Sequence, residues 1–211
     1  MNGSDSDKKV IGLYGEMRLA MELHKRGWQV YRAYIDEKFD FVILKSFCEN
    51  CKTFKNALKR GKTVTQLCES CEQDSLKMLV RFIQVKTSEG IPATKRKSEE
   101  VKDYSFHPKI RYHLADSRIF YAWIQVWDED KDEVNYFIFK PEEVKRFDNL
   151  DLPTYQKTDN QKTQLPINKA GKVLKEGRVR KDGIQYDYRA FDEFLNNFEC
   201  LEELIDGDNW K

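Results

Sequence analysis

The sequence predicts a single α/β domain built around a mixed β-sheet. Apolar residues between Val10 and Arg26 recur at the spacing of an amphipathic helix, and several short segments rich in aromatic and β-branched residues follow. With 211 residues, 40% of them hydrophobic, the chain can bury one sizeable core. We therefore expect residues 1–211 to form one domain in which helices flank a central sheet.

The N-terminal half is predicted to supply one helix and three strands. The helix should end at Gly27, because two basic residues precede that glycine. Its predicted apolar face consists of four residues near 3.6-residue spacing: Leu13, Met17, Ala20 and Leu23. Strands are predicted where Phe, Tyr, Val and Ile are concentrated, at residues 28–34, 39–44 and 78–86.

The C-terminal half continues the alternation of strands and helices. Two further strands are predicted at residues 119–127 and 134–139, joined by an acidic turn. A short helix should begin at Pro141, and an amphipathic helix over residues 190–205 should close the domain. Residues 87–103 are predicted to be a polar, basic loop, and residues 147–180 indicate no particular element.

The charged residues of the chain nearly cancel. Lys and Arg number 37 and Asp and Glu 36, which leaves a formal net charge of +1. Any attraction for nucleic acid must therefore come from local patches. No apolar run approaches the roughly 18 residues that a membrane-spanning helix needs, and the N-terminal residues contain no hydrophobic signal region. We expect a cytoplasmic protein that has no membrane partner.

Two cysteine pairs lie between the second and third predicted strands. Each pair has the spacing C-x2-C, and sixteen residues separate the pairs, which is close to the pattern of a four-cysteine zinc site. The predicted zinc ligands are Cys48, Cys51, Cys68 and Cys71. Four thiolates give a closed tetrahedral site, so the zinc would be structural. The alternatives are reduced cysteines in a loop, or another soft metal such as iron.

A zinc-binding insert would explain a connection of about thirty residues, since hairpin loops usually have about two to five. We place this insert at residues 45–77. Between Cys48 and Cys71 it has five basic residues and two acidic ones, so it would contact phosphates or form a solvated face. The fifth cysteine, Cys200, stands alone and is expected to be a small buried hydrophobe.

One glutamate falls on the predicted apolar face of the first helix. Glu16 follows Leu13 by three residues and precedes Leu23 by seven. A buried carboxylate needs a cation, a lysine or a hydrogen-bond network, because its desolvation is costly. Gly12 and Gly15 beside it would allow close backbone approach. The alternative is an ordinary glutamate in water near the start of a helix.

Two of the predicted strands carry polar residues that require an explanation. Asp40 lies in the otherwise apolar segment Phe39 to Leu44, although aspartate is a poor strand former. It would either bind a metal ion or face solvent at a strand edge. Gln84 and Lys86 share a face of their strand, about 7 Å apart, because strand side chains alternate.

The combination of a helix glutamate, a strand aspartate and Gln-x-Lys on the next core strand resembles the PD-(D/E)XK nuclease superfamily. Within it, the resemblance is to small prokaryotic members with a restriction-endonuclease-like or Holliday-junction-resolvase-like core. It covers Gly12 to Lys86 without the insert and extends loosely through the strand at residues 119–127. The chain departs from the motif at Gln84, where an acidic ligand is commoner, and this leaves the number of metal ions open.

The resemblance implies a metal-dependent DNA endonuclease of defence or repair. By motif, Glu16 matches the helix acid, Asp40 the metal-binding aspartate, and Gln84-Val85-Lys86 the (D/E)xK element, so Glu16, Asp40, Gln84 and Lys86 would be catalytic. Mg²⁺ or Mn²⁺ would be held by Glu16, Asp40 and the Val85 carbonyl, in addition to the structural Zn²⁺. Lys86 would position the attacking water or stabilise charge at phosphorus.

The expected partners are DNA and, as an option, a second copy of the chain, since many such nucleases pair two active sites. The basic run Lys95, Arg96 and Lys97 would guide the nucleic-acid backbone, or is simply solvated. Two other classes of function stay open. One is a nucleic-acid-binding protein with a degenerate core, which Gln84 favours; the other is a structural or interaction module.

Overall fold

The computed structural model describes residues 5–33, 39–48, 53–55, 76–92, 101–106, 118–143, 163–171, 192–203 and 205. One long helix precedes nine strands. They are α1 (Asp5–Lys25), β1 (Gln29–Arg32), β2 (Phe41–Cys48), β3 (Thr53–Lys55), β4 (Leu76–Glu89), β5 (Ile91–Pro92), β6 (Val101–Phe106), β7 (Ile119–Asp128), β8 (Glu133–Phe139) and β9 (Thr163–Asn168). Residues 141–143 are helical, and a short 3-10 helix covers Phe198–Leu201.

The main sheet has the strand order β1-β2-β4-β7-β8, and β3 pairs with the end of β2. The β4–β7 pair is parallel, whereas the other pairs in this sheet are antiparallel. A parallel pair requires a crossover connection, while the antiparallel neighbours can follow one another through turns. The predicted α/β class with a mixed central sheet is therefore confirmed.

Helix α1 packs on one face of this sheet, against β1, β4 and β7. It buries Leu19 and Leu23 against sheet residues such as Ile83. The predicted apolar face of the helix was correct for Ala20 and Leu23, which contact the core, and wrong for Leu13 and Met17, which are exposed. The helix carries apolar residues on nearly every side, so its periodicity could not select the face that is buried.

Three segments of the predicted loop at residues 87–103 are strands, the end of β4, all of β5 and the start of β6. Strand β4 continues to Glu89, and β6 begins at Val101. Strand β6 lies between β5 and β9 in a separate antiparallel sheet of three strands. Pro166 lies within β9, opposite Asp103 of β6. These strands were not predicted because their sequences are polar and show little alternation of apolar and polar residues.

The closing helix predicted for residues 190–205 is also wrong for the described part of that segment. Its backbone turns at Asn196, whose φ is 55°, and the Asn196 N–H donates to the Tyr136 carbonyl over 2.6 Å. Leu195 forms an antiparallel bridge with Phe137 of β8. Pairing with the edge of β8 takes the place of a helical hydrogen-bond pattern. Phe194, Phe198 and Leu201 are nevertheless buried, as an amphipathic segment requires.

Two buried cations hold the C-terminal segment on the sheet. Arg81 is fully buried and donates to the carbonyls of Leu201, Glu203 and Val80 at 3.0, 2.8 and 2.9 Å. Lys45 donates to the Arg26 carbonyl at 2.9 Å and forms an ion pair with Glu202. Each buried cation is therefore hydrogen-bonded, because a buried charge without partners would be very costly.

The predicted insert at residues 45–77 overlaps the main sheet at both ends. Lys45 to Cys48 and Leu76 to Lys77 belong to the β2–β4 ladder, and β3 also pairs with β2. The remaining residues of the insert lie outside the described residues. Within the described part of the chain, no helix combines the length and the apolar character needed to cross a bilayer.

Candidate active site

Glu16 is placed by a close contact between α1 and β4. A Cβ added at Gly15 would lie 2.1 Å from the Thr87 Oγ1, so glycine is required where the helix crosses the strand. The Thr87 hydroxyl also lies 3.4 Å from the Gly12 carbonyl and can donate to it. The prediction that glycine allows close approach is confirmed for Gly15, whereas glycine is not required at Gly12, where a Cβ would meet nothing within 4 Å.

Asp40 lies immediately before β2, where the regular ladder with β4 ends. The Asp40 N–H donates to the Ile83 carbonyl over 2.8 Å, whereas the register of the ladder, Phe41 opposite Ile83, would place Gln84 opposite Asp40. The Asp40 carboxylate accepts a hydrogen bond from the Val85 N–H over 2.5 Å. The side chain of Asp40 thus accepts a hydrogen bond from β4 at the point where the regular ladder ends. This bond fixes the orientation of the Asp40 carboxylate.

Gln84 and Lys86 occupy alternate positions of β4, as predicted. Across the parallel pair, Gln84 lies opposite Tyr121 and Lys86 opposite Trp123. Gln84 is 4% exposed, and its side-chain oxygen has no hydrogen-bond partner among the described residues. Val85 lies between them, and the N–H and C=O of one strand residue point to the same side. The Val85 carbonyl is therefore directed towards Asp40.

The charges of these residues act on one another. Burial raises the pKa of Glu16, the Arg32 and Lys86 cations oppose this effect, and the Asp40 carboxylate adds to it. The Arg32 guanidinium forms an ion pair with Glu16 Oε2 over 2.9 Å. The structure therefore brings Glu16, Asp40 and Lys86 into one electrostatic cluster. Gln84 precedes Lys86 by two residues on β4.

No family model matches this chain, and no curated protein or solved structure does either. The function must accordingly be argued from the chemistry of this cluster.

The oxygen atoms of the cluster suit a hard cation. The Glu16 carboxylate is paired with Arg32, and the buried amide oxygen of Gln84 has no hydrogen-bond partner among the described residues. The Asp40 carboxylate is bonded to the N–H of Val85, the residue that follows Gln84. Carboxylate, amide and carbonyl oxygens are the ligands that Mg²⁺ takes in proteins. No group of three or more His, Cys, Asp or Glu side chains in the described ranges could hold a metal ion by itself. A cation here could use two carboxylates and two neutral oxygens.

Cys48, the first predicted zinc ligand, lies far from this cluster. Cys48 is buried at the last position of β2, about 25 Å from Asp40 at the spacing of an extended strand. Cys51, Cys68 and Cys71 lie outside the described residues, so the zinc site stays a prediction. The same holds for the predicted backbone-guiding run Lys95, Arg96 and Lys97. Cys200 is buried, as predicted.

Sequence reasoning missed three residues of the cluster. Arg32 lies on β1 and forms the ion pair with Glu16. Tyr121 is fully buried, and burial together with the nearby Asp40 carboxylate raises the pKa of its hydroxyl. Thr87 packs against α1 at Gly15 and can donate to the Gly12 carbonyl. None of the three belongs to a sequence motif, and their places follow from strand order and register, which a single sequence does not reveal.

Proposed function

We propose that the chain is a metal-dependent nuclease that hydrolyses phosphodiester bonds, with DNA as its expected substrate. The observation that carries this proposal is that the charges of Glu16, Asp40 and Lys86, which are distant in sequence, act on one another in the fold. Two acids that can hold a divalent cation, beside an ammonium group, suit the hydrolysis of a phosphodiester.

The reaction adds water to phosphorus and breaks one P–O bond, which leaves a phosphate monoester and an alcohol. A bound Mg²⁺ or Mn²⁺ would polarise the phosphate and lower the pKa of a water molecule. Asp40, Glu16 and the Val85 carbonyl would hold this cation. The hydrogen bond from Val85 N–H keeps the Asp40 carboxylate oriented towards the site before any substrate arrives.

Lys86 and Gln84 would act on the reacting groups themselves. The Lys86 ammonium would stabilise the negative charge that develops on the phosphoryl oxygens. The Gln84 side-chain oxygen would accept a hydrogen bond from the attacking water and so orient it. Because Gln84 is neutral, it would add no charge to the cation site, which distinguishes this cluster from one with three carboxylates.

A cleavage panel tests the proposal. Duplex, single-stranded and branched DNA, and RNA, would be incubated with Mg²⁺, Mn²⁺ or EDTA. Asp40→Ala and Lys86→Ala should each lower the cleavage rate by about 100-fold or more, because each removes charge that acts in the transition state. Lys25→Ala, which changes an exposed lysine at the end of α1, should cleave like the wild type. Full activity in either cluster variant would refute the assigned roles.

A second candidate is a nucleic-acid-binding protein that does not cleave. The observation in its favour is the charge balance of the cluster, in which Arg32 and Lys86 offset Glu16 and Asp40 without a metal ion. Tight binding of nucleic acid in EDTA, with no cleavage in any divalent cation, would favour this candidate over the nuclease.

A further inference from the structure

The face of the sheet opposite α1 carries exposed aromatic and apolar side chains next to the cluster. In β1, β2 and β4, residues that pair directly lie on the same face. Tyr31, Val42 and Phe82 therefore form one row across three strands. Gln29, Leu44 and Val80 form the next row. We call these two rows, together with Phe39 and Met78, the open sheet face.

This surface is accessible to a partner. Tyr31 is 52% exposed, and Met78 and Val80 are exposed as well. Phe82 and Phe39 are half-buried, and their rings pack together with centroids 4.8 Å apart. Exposed apolar surface of this extent on a sheet commonly marks an interaction site. The α1 side of the same strands is buried, so the exposure is specific to one face.

The open sheet face continues into the proposed active site. Phe82 and Gln84 are alternate residues of β4 and share its face, about 7 Å apart. Asp40 follows Phe39 directly in the chain. A partner that lies across Tyr31 and Phe82 would therefore need to extend by only about 7 Å, the length of two strand residues, to reach the Asp40–Lys86 cluster.

Positive charge lies on the margins of this face. The Arg118 guanidinium is 5.3 Å from the centroid of the Phe82 ring. An aromatic ring beside a cation fits a chain of alternating bases and phosphates, because bases stack on rings and phosphates attract arginine. A purely apolar partner would gain nothing from this charge.

We propose that the open sheet face binds single-stranded nucleic acid, with bases stacked on Tyr31 and on the Phe39–Phe82 pair and the backbone led towards Lys86. This inference rests on the proposed function, since it names the substrate class of the same cluster. It places unpaired bases rather than a duplex on the surface, because a duplex conceals the faces of its bases.

Binding measured without catalysis tests this inference. Fluorescence anisotropy would follow a labelled 12-nucleotide single strand, and its duplex, in EDTA and low salt. Tyr31→Ser should weaken single-strand binding by about tenfold, the loss typical of one stacked base, and Tyr31→Phe should bind within about twofold of the wild type. Met17→Ser is the matched control, because Met17 is 58% exposed but lies on α1.

The outcomes separate this inference from the nuclease proposal. Single-strand binding that requires the Tyr31 ring supports the inference, whether or not any divalent cation then permits cleavage. Cleavage of duplex DNA without single-strand binding would overturn the inference and leave the nuclease intact. Unchanged binding by Tyr31→Ser would overturn it as well. Sedimentation equilibrium supplies a further refutation: a wild-type dimer that Tyr31→Ser dissociates would assign the face to a second copy of the chain.

Discussion

Gly15 and Thr87 are in such close contact that a single methyl group at residue 15 would overlap the threonine side chain. An added Cβ would lie 2.1 Å from Oγ1 and 2.9 Å from the Thr87 Cβ, and the latter atom cannot move by rotation of the side chain. The crossing of α1 over β4 at this point determines where the next residue, Glu16, presents its carboxylate.

Gly15→Ala should therefore displace α1 and damage both stability and the cluster. Overpacking of this kind usually costs about 1–3 kcal/mol in the free energy of unfolding. Gly12→Ala is the matched control, because a Cβ there meets no atom within 4 Å and alanine favours a helix by about 0.5–1 kcal/mol. Urea denaturation of both variants measures the difference. Equal stability for the two would show that the close contact is not a constraint on the helix.

Glu16→Gln should leave the fold at least as stable as the wild type when no divalent cation is present. Burial raises the pKa of Glu16 in the folded state, so its ionised form opposes folding at neutral pH. A permanently neutral glutamine removes that cost, while the ion pair with the exposed Arg32 contributes little. The gain in melting temperature should be present at pH 7 and disappear as the pH falls below the ordinary pKa of a glutamate.

Thermal denaturation in EDTA between pH 4 and pH 8 measures this effect, alongside nuclease assays of the same variant. We expect cleavage to fall while stability is kept. A large loss of stability at neutral pH would indicate that Glu16 serves to hold the fold rather than to act in the cluster.

The sequence was informative where a pattern has one structural meaning. Segments rich in aromatic and β-branched residues became strands β2, β4, β7 and β8, and alternation correctly placed Gln84 and Lys86 on one face. It failed where a pattern has two meanings. The helix α1 is apolar on most sides, so its spacing favoured Leu13 and Met17 as well as Leu23, whereas packing buries Leu19 with Leu23.

The residues of the cluster were predictable only in part. Glu16, Asp40 and Lys86 could be identified because acidic and basic residues in apolar segments are unusual. Arg32 and Tyr121 could not, because their proximity depends on which strands are neighbours and on the register of each pair. The C-terminal segment was also mispredicted, because its backbone pairs with β8 through Leu195 instead of forming an α-helix.

Arg81→Met should be strongly destabilising although the new residue is apolar. Arg81 is fully buried, and its guanidinium donates to three backbone carbonyls, two of them in the C-terminal segment. Methionine would leave the buried Leu201 carbonyl without this donor, which costs about 1–3 kcal/mol, and would remove the bonds to the other two carbonyls. We expect a loss of about 2–3 kcal/mol in urea denaturation. Lys25→Met, at an exposed position, should stay within about 0.5 kcal/mol of the wild type.

The same variant should loosen the C-terminal residues specifically. Hydrogen exchange at Leu201 and at its neighbours should accelerate before the β4–β7 pair is affected, because Arg81 donates to two carbonyls of the C-terminal segment. Uniform acceleration throughout the sheet would mean instead that Arg81 stabilises the whole core.

The purified protein should contain one zinc ion per chain, held at the far end of β2 from the cluster. Cys51→Ser or Cys68→Ser should abolish stoichiometric zinc, because a structural site needs all four thiolates. Cys200→Ala is the control: Cys200 is buried, and burial raises the pKa of its thiol, which disfavours the thiolate that binds metal. Atomic absorption measures the zinc content, and zinc lost from the Cys200 variant would contradict the assignment. Because Cys48 and Asp40 lie at opposite ends of β2, zinc-free variants that remain folded should still bind Mn²⁺ at the cluster.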